Sequence, residues 1–133
     1  MTINTWFEQN FTNVPEIVKL FARCVGNGAA NPTGVKGLGI TSITWVSTGK
    51  YTVTLNRKFA GLVNVVGSVI NSAGTTLSVV YASAETVASS QTITIEVFGG
   101  INAVAPTRRD LTSADTLLLE ITLQDSSVKP AGF

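Results

Sequence analysis

The sequence predicts an all-β fold, a single antiparallel β-sandwich, jelly-roll-like or barrel domain of about seven strands, preceded by an extended N-terminal arm. Three observations carry this expectation. Alternation of β-branched or aromatic residues with Thr and Ser recurs along the chain, most cleanly in 39–56, 91–98 and 116–125, and successive side chains of a strand point to opposite faces. Clusters of Gly, Pro, Ser and Asn separate these runs, as turns between short strands require. Beyond the arm, no stretch carries a helical period.

At 133 residues the chain suits one domain that buries about two-thirds of its unfolded surface. The expected division is an arm over 1–14 and a β-domain over 15–133, with a long loop at 26–39 and an exposed loop at 99–114. The arm is polar but holds Trp6, Phe7 and Phe11. Three large aromatics need burial. Two readings stand: docking into a neighbouring subunit or another protein, and folding back on the arm's own domain, with a short initial helix compatible with either.

Residues 17–25 form the first expected strand, with Val18, Leu20, Ala22 and Cys24 facing in and Lys19, Phe21 and Arg23 facing out. The segment 26–39 contains five of the twelve glycines and Pro32, so it reads as a loop crossing the domain or reaching over a neighbour. It lacks the spacing of a phosphate-binding loop or a dinucleotide fingerprint. Next, 39–56 reads as a hairpin. A three-residue loop, Ser47-Thr48-Gly49, would set Trp45 opposite Tyr51 and Ile43 opposite Val53, all on one face; a two-residue loop would pair Trp45 with Thr52 and mix the faces.

Arg57 and Lys58 mark a solvated corner. The run L-V-N-V-V-G-S-V-I-N over 62–71 is nearly continuous in apolar residues, which implies burial on both faces, between sheets or under a partner. Gly67 in its middle suggests a bulge or a close backbone approach. In 75–82, Leu77, Val79 and Tyr81 alternate with Thr76, Ser78 and Val80, and 83–90 reads as a loop or weak edge strand. In 91–98, Ile93, Ile95 and Val97 face in and Thr92, Thr94, Glu96 and Phe98 face out. In 116–125, Leu117, Leu119, Ile121 and Leu123 share one face, opposite Leu118, Glu120, Thr122 and Gln124. The tail ends in Phe133, which can anchor in an apolar pocket.

Composition narrows the function. Apolar residues make up 44% of the chain and charged residues 13%, against roughly 25% charged in ordinary globular chains. A partner covering part of the surface accounts for this deficit, and so does a Ser/Thr-rich skin. Nine basic and eight acidic residues are scattered singly, without the basic stripe that nucleic acid requires. No apolar run approaches the ~20 residues of a membrane helix, and the start M-T-I-N-T-W-F lacks the regions of a signal peptide, so a soluble protein made in the cytosol is expected. The sequon Asn10-Phe11-Thr12 is then incidental.

Catalytic equipment is sparse. The chain has no histidine and one cysteine, so no Ser-His or Cys-His dyad, no internal disulfide and no histidine-ligated zinc site can form. Cys24 has the parity of buried neighbours, where a thiol is inert. A glycosidase needs two carboxylates facing across a cleft; only Glu96 and Glu120 sit mid-strand, both on the expected outer face, where Lys19 and Arg23 make a surface charge network the simpler reading. No calcium loop is present. The expectation is a protein without enzymatic activity, cofactor, metal or small-molecule substrate.

The run N-G-A-A-N-P-T-G-V-K-G-L-G-I-T-S-I-T-W-V-S-T-G-K-Y-T-V-T-L, 27–55, resembles the short virion structural proteins of tailed bacteriophages. A hairpin of the form G-x-G-(I/V)-x-S-(I/V)-x-R-x-(G/S)-x-G-x-Y-x-V-x-L recurs there, and Gly37, Gly39, Ile40, Ser42, Ile43, Gly49, Tyr51, Val53 and Leu55 match it. Trp45 or Val46 stands where the pattern commonly has Arg. The motif covers about a fifth of the chain; the rest is similar in its low charge and its Thr, Ser and Val richness.

Such modules occur as capsid decoration (cement) proteins and in tail fibres and spikes. A β-domain without coiled coil or fibrous repeat fits decoration. The resemblance then implies a homodimer or homotrimer on the capsid surface of the virion, made in the host cytoplasm, bridging copies of the major capsid protein and stabilising the head. Trp6, Phe7 and Phe11 are the expected anchors, and Phe21 and Phe133 complete the expected interface set. The competing function is a tail fibre, spike or baseplate module binding host-surface polysaccharide, for which Trp45, Tyr51 and Phe98 are the aromatic candidates, although the shared face of Trp45 and Tyr51 with Ile43 and Val53 favours core packing.

Overall fold

The structure, a computed structural model, describes residues 17–74, 77–100 and 106–125. Nine strands are present: β1 Ile17–Val25, β2 Thr33–Lys36, β3 Ile40–Ser47, β4 Lys50–Leu55, β5 Gly61–Asn71, β6 Ser78–Glu85, β7 Thr92–Gly99, β8 Thr107–Arg108 and β9 Asp115–Gln124. They form two sheets, here A and B, packed face to face and not closed into a barrel. Sheet A runs β2-β1-β9-β5; sheet B runs β3-β4-β7-β6, with β8 added beside β7. All pairings are antiparallel. The two strands beyond the expected seven lie in segments read as loops. In the glycine-rich segment, Thr33–Lys36 pairs back on β1 (Arg23 opposite Lys36, Val25 opposite Thr33); in the other, Thr107–Arg108 pairs with the end of β7. Both are too short for any periodicity to show.

The core follows the alternation. Ala22 and Cys24 from β1 and Leu117, Leu119, Ile121 and Leu123 from β9 meet Ile43, Tyr51, Val53, Leu55, Ile93, Ile95 and Val97 of sheet B, all buried. Each fully buried aliphatic side chain contributes about 1.5–3 kcal/mol of transfer free energy. Cys24 is buried as expected, and burial pushes its thiol up to about 11.

The β3–β4 hairpin has the expected register by a different route. Trp45 lies opposite Tyr51 and Ile43 opposite Val53. The loop, however, is two residues long, Thr48-Gly49, closed by Ser47 opposite Lys50. An extra residue, Val46, bulges between the Trp45 and Ser47 pairs and restores the parity that a two-residue loop alone would have lost. Gly49 has φ 66°, the left-handed conformation that glycine adopts without steric cost.

Two strands have faces that the alternation left open. In β6, Val80 and Ala82 pack on the core while Val79 and Tyr81 are exposed, the reverse of a strand burying its larger residues. In β5, only one face is covered within this chain; Val63, Val66 and Ile70 remain exposed on the other. Gly67 does mark a close approach. A Cβ there would lie 2.7 Å from Val80 Cγ1, so the sheets draw together where β5 passes β6.

Candidate functional site

The outer face of sheet A is assembled by register. Residues alternate outward along β1, β9 and β5, and three rows cross the sheet: Lys19–Thr122–Asn64, Phe21–Glu120–Val66 and Arg23–Leu118–Ser68. A fourth row ends on Ile70, opposite Thr116. Phe21 and Val66 are each 54% exposed and Ile70 56%, high values for large apolar side chains. Leu38, 91% exposed, extends the strip beyond Phe21, and the two share a shallow groove with Lys19 and Leu20. A second groove runs between Phe21, Val66 and Leu118.

Charge frames this strip. Lys19 Nζ lies 3.0 Å from Glu120 Oε1, a surface pair worth about 0–1 kcal/mol. Arg23 and Lys36 are opposed in register, so both extend from the outer side, and neither has an ion-pair partner among the described residues. Three basic side chains therefore flank the strip at its β1–β2 end, and one carboxylate, Glu120, lies within it between Phe21 and Val66. That arrangement can hold a protein surface presenting apolar groups and carboxylates.

Sheet B differs. Its centre is paved with hydroxyls: Thr44 opposite Thr52 opposite Thr94, and Ser42 opposite Thr54 opposite Thr92. Cross-strand Thr pairs stabilise such a surface without a partner. Only its margin is apolar, where the Tyr81 and Phe98 rings stack at 5.7 Å and 24° and line a groove with Val79 and Pro106. Beside them Tyr81 Oη donates to Glu96 Oε2 at 3.3 Å. Arg108 Nε sits 2.6 Å from Glu96 Oε1, too bent for a directed hydrogen bond. A hydrogen bond from Ser83, then the Arg108 charge and the Tyr81 hydroxyl, hold the Glu96 carboxyl below its usual range against the opposing effect of burial.

Glu96 is only 5% exposed and Glu120 belongs to the other sheet, so the expected shared charge network splits into two separate pairs. The described acidic groups in ion pairs are Glu96 with Arg108, Asp115 with Arg109, Glu120 with Lys19 and Asp125 with Arg57, and among the described residues no His, Cys, Asp or Glu cluster could hold a metal ion.

Of the expected interface residues, Phe21 stands at the centre of the sheet A strip; Trp6, Phe7, Phe11 and Phe133 lie outside the described residues. Trp45 and Tyr51 are structural. Tyr51 is buried and its hydroxyl accepts a 2.8 Å hydrogen bond from Leu111 N; Trp45 packs on the core and donates through Nε1 to Asp110 Oδ1 at 2.8 Å. Phe98, a candidate for the polysaccharide reading, lies at the margin of sheet B stacked on Tyr81; Tyr81 and Leu38 were not expected as sites. Leu38 is a lone apolar residue among glycines, and β6 has apolar residues of both parities, so neither leaves a periodic trace. No family model, curated protein or solved structure matches this chain.

Proposed function

We propose that this chain is a non-enzymatic structural protein of a bacteriophage virion, a capsid decoration protein that seats on the head and bridges neighbouring capsid subunits. The observation that carries the reading is the outer face of sheet A: exposed apolar Phe21, Val66, Ile70 and Leu38, flanked on the β1–β2 side by Lys19, Arg23 and Lys36. Clustered exposed apolar side chains mark a protein-binding site, and the basic flank suits a shell surface rich in carboxylates. Resemblance of the hairpin to phage virion modules supports the same reading. The mechanism is mass action: a protein that binds the mature shell and not its dissociated subunits stabilises the shell by its binding free energy.

Virions lacking the chain should release DNA at a lower temperature than complete virions, and adding purified protein back should restore the difference. Equal heat resistance with and without it would sink the reading. The Tyr81–Phe98 pair, exposed beside Glu96, favours a second reading, a tail module that stacks sugars of a host polysaccharide on its rings. Copy number separates the two: on the order of hundreds of copies fits repeated shell positions, a few dozen or fewer a tail.

A further inference from the structure

Among the described residues five strands have a free edge: β2 and β5 in sheet A, and β3, β6 and β8 in sheet B. An edge strand exposes a row of backbone N–H and C=O groups, and monomeric proteins guard such rows by shortness, charge, proline or bulges. Four of the five are guarded, β8 by its length of two residues. β2 has four residues, includes Lys36 and is out of step with β1. β3 bulges near both ends, around Thr41 and Val46. β6 bulges at Ser83 and ends on Glu85.

β5 is the exception. Its 11 residues, GLVNVVGSVIN, contain no charge and no proline. Its single bulge falls at Val63, leaving Asn64 to Ile70 in unbroken register with β9. The outward side chains along this run include Val66 and Ile70, both largely exposed. The opposite edge has no such run.

We infer that β5 is a self-pairing edge: two copies of this chain associate through antiparallel β5–β5 pairing about a twofold axis, joining their A sheets into one continuous eight-stranded sheet. An isologous contact of this kind needs only one patch that complements itself. Opposed residues in a continuous sheet share a face, so the partner residue must have the same parity. The register that pairs the exposed apolar groups places Ser68 opposite Ser68 of the second copy, and Val66 opposite Ile70 in both directions. It also unites the two apolar strips on one side of the dimer. The inference specifies the homo-oligomer that the resemblance implies, but its test uses the purified chain alone and can fail without the capsid reading failing.

Sedimentation of the purified protein over about 1–100 µM should show a monomer–dimer equilibrium. Ser68→Cys should give a disulfide-linked dimer under mild oxidation, since directly opposed Cα atoms lie about 4.5–5.5 Å apart, within the span a disulfide bridges. Ser42→Cys, on the outer face of sheet B, should not cross-link, and native Cys24 is buried and will not compete. The double variant Val66→Lys with Ile70→Lys sets like charges opposite each other and should weaken the dimer at least about tenfold, with an unchanged circular dichroism spectrum. A chain that stays monomeric throughout the range overturns the inference, as does a dimer that Ser68→Cys fails to cross-link. If deletion of residues 1–13 were needed before any dimer formed, the arm rather than a second copy would occupy the edge, and the inference would likewise fall.

Discussion

Two regions of this sandwich use charge in opposite ways. At the end of the core where β9 begins, Asp115 is fully buried and every contact turns inward. Its Oδ1 accepts from Asn71 Nδ2 at 2.7 Å, and its Oδ2 accepts from Arg109 and from Thr112 N at 2.5 and 2.8 Å. Arg109 also donates to Ser78 at 2.7 Å. On the outer face of sheet A, Lys19 has one exposed partner and Arg23 and Lys36 have none among the described residues. The buried cluster joins β5, β6, β9 and the segment after β8. The outer face carries one ion pair among the described residues, Lys19–Glu120 between β1 and β9. Stability is concentrated at the first, and the proposed function places association at the second, so substitutions in the two should separate these properties.

The largest effect belongs to Asp115→Ala. It strands the Arg109 guanidinium in a mostly buried position, and breaking such a pair costs about 3–5 kcal/mol, to be read as a lower urea midpoint. Acid should act through the same group. Burial alone would raise the Asp115 pKa, but hydrogen bonds from Asn71, Thr112 N and Arg109 outweigh it and hold the carboxyl below its usual range. A depressed folded pKa gives stability that is present above the unfolded value, about 3.9, and lost as pH falls through the folded one. Asp115→Asn should therefore flatten the acid limb of a stability–pH curve; an unchanged limb would assign that limb to other groups.

Gly67→Ala comes next. The new methyl would meet Val80 Cγ1 at 2.7 Å and Leu119 Cδ2 at 3.1 Å, and overpacking of this kind costs about 1–3 kcal/mol. Smallest are Phe21→Ser and Lys19→Ala. Folding stability should stay within about 0.5 kcal/mol for the first and about 1 kcal/mol for the second, while Phe21→Ser should abolish retention on purified virions. A Phe21 variant that unfolds, or that binds virions as the parent does, would erase the contrast between the two regions.

How much of this was legible in the sequence depends on the strand. β9 alternates as read, and β7 does so except at Glu96, expected to face out but only 5% exposed. The β3–β4 register was legible through its consequence, the shared face of Ile43, Trp45, Tyr51 and Val53, but the bulge at Val46 that produces it leaves no mark in composition. The inward face of β6 was not readable, for a physical reason. Both its parities are apolar, and the smaller Val80 and Ala82 turn inward because β5 approaches at Gly67 and leaves little room there. Larger Val79 and Tyr81 are thereby displaced to the surface. The Asp115–Arg109 pair was invisible for another reason: its partners are an arginine from a segment read as an exposed loop and an asparagine 44 positions away. Of the candidate face, the alternation of Lys19, Phe21 and Arg23 was readable; the contribution of β5 and Leu38 depends on topology.

Cys24 gives the molecule a built-in clock. It sits mid-way across sheet A, opposite Leu117, and is the chain's sole thiol. No reagent can reach it until the two sheets part, so the rate at which a thiol probe is taken up counts openings of the sandwich and not surface fluctuations. In dilute probe that rate follows the equilibrium between closed and open forms, and in excess probe it becomes the opening rate itself. One unmodified side chain thus times how often the core is exposed to solvent, free or assembled.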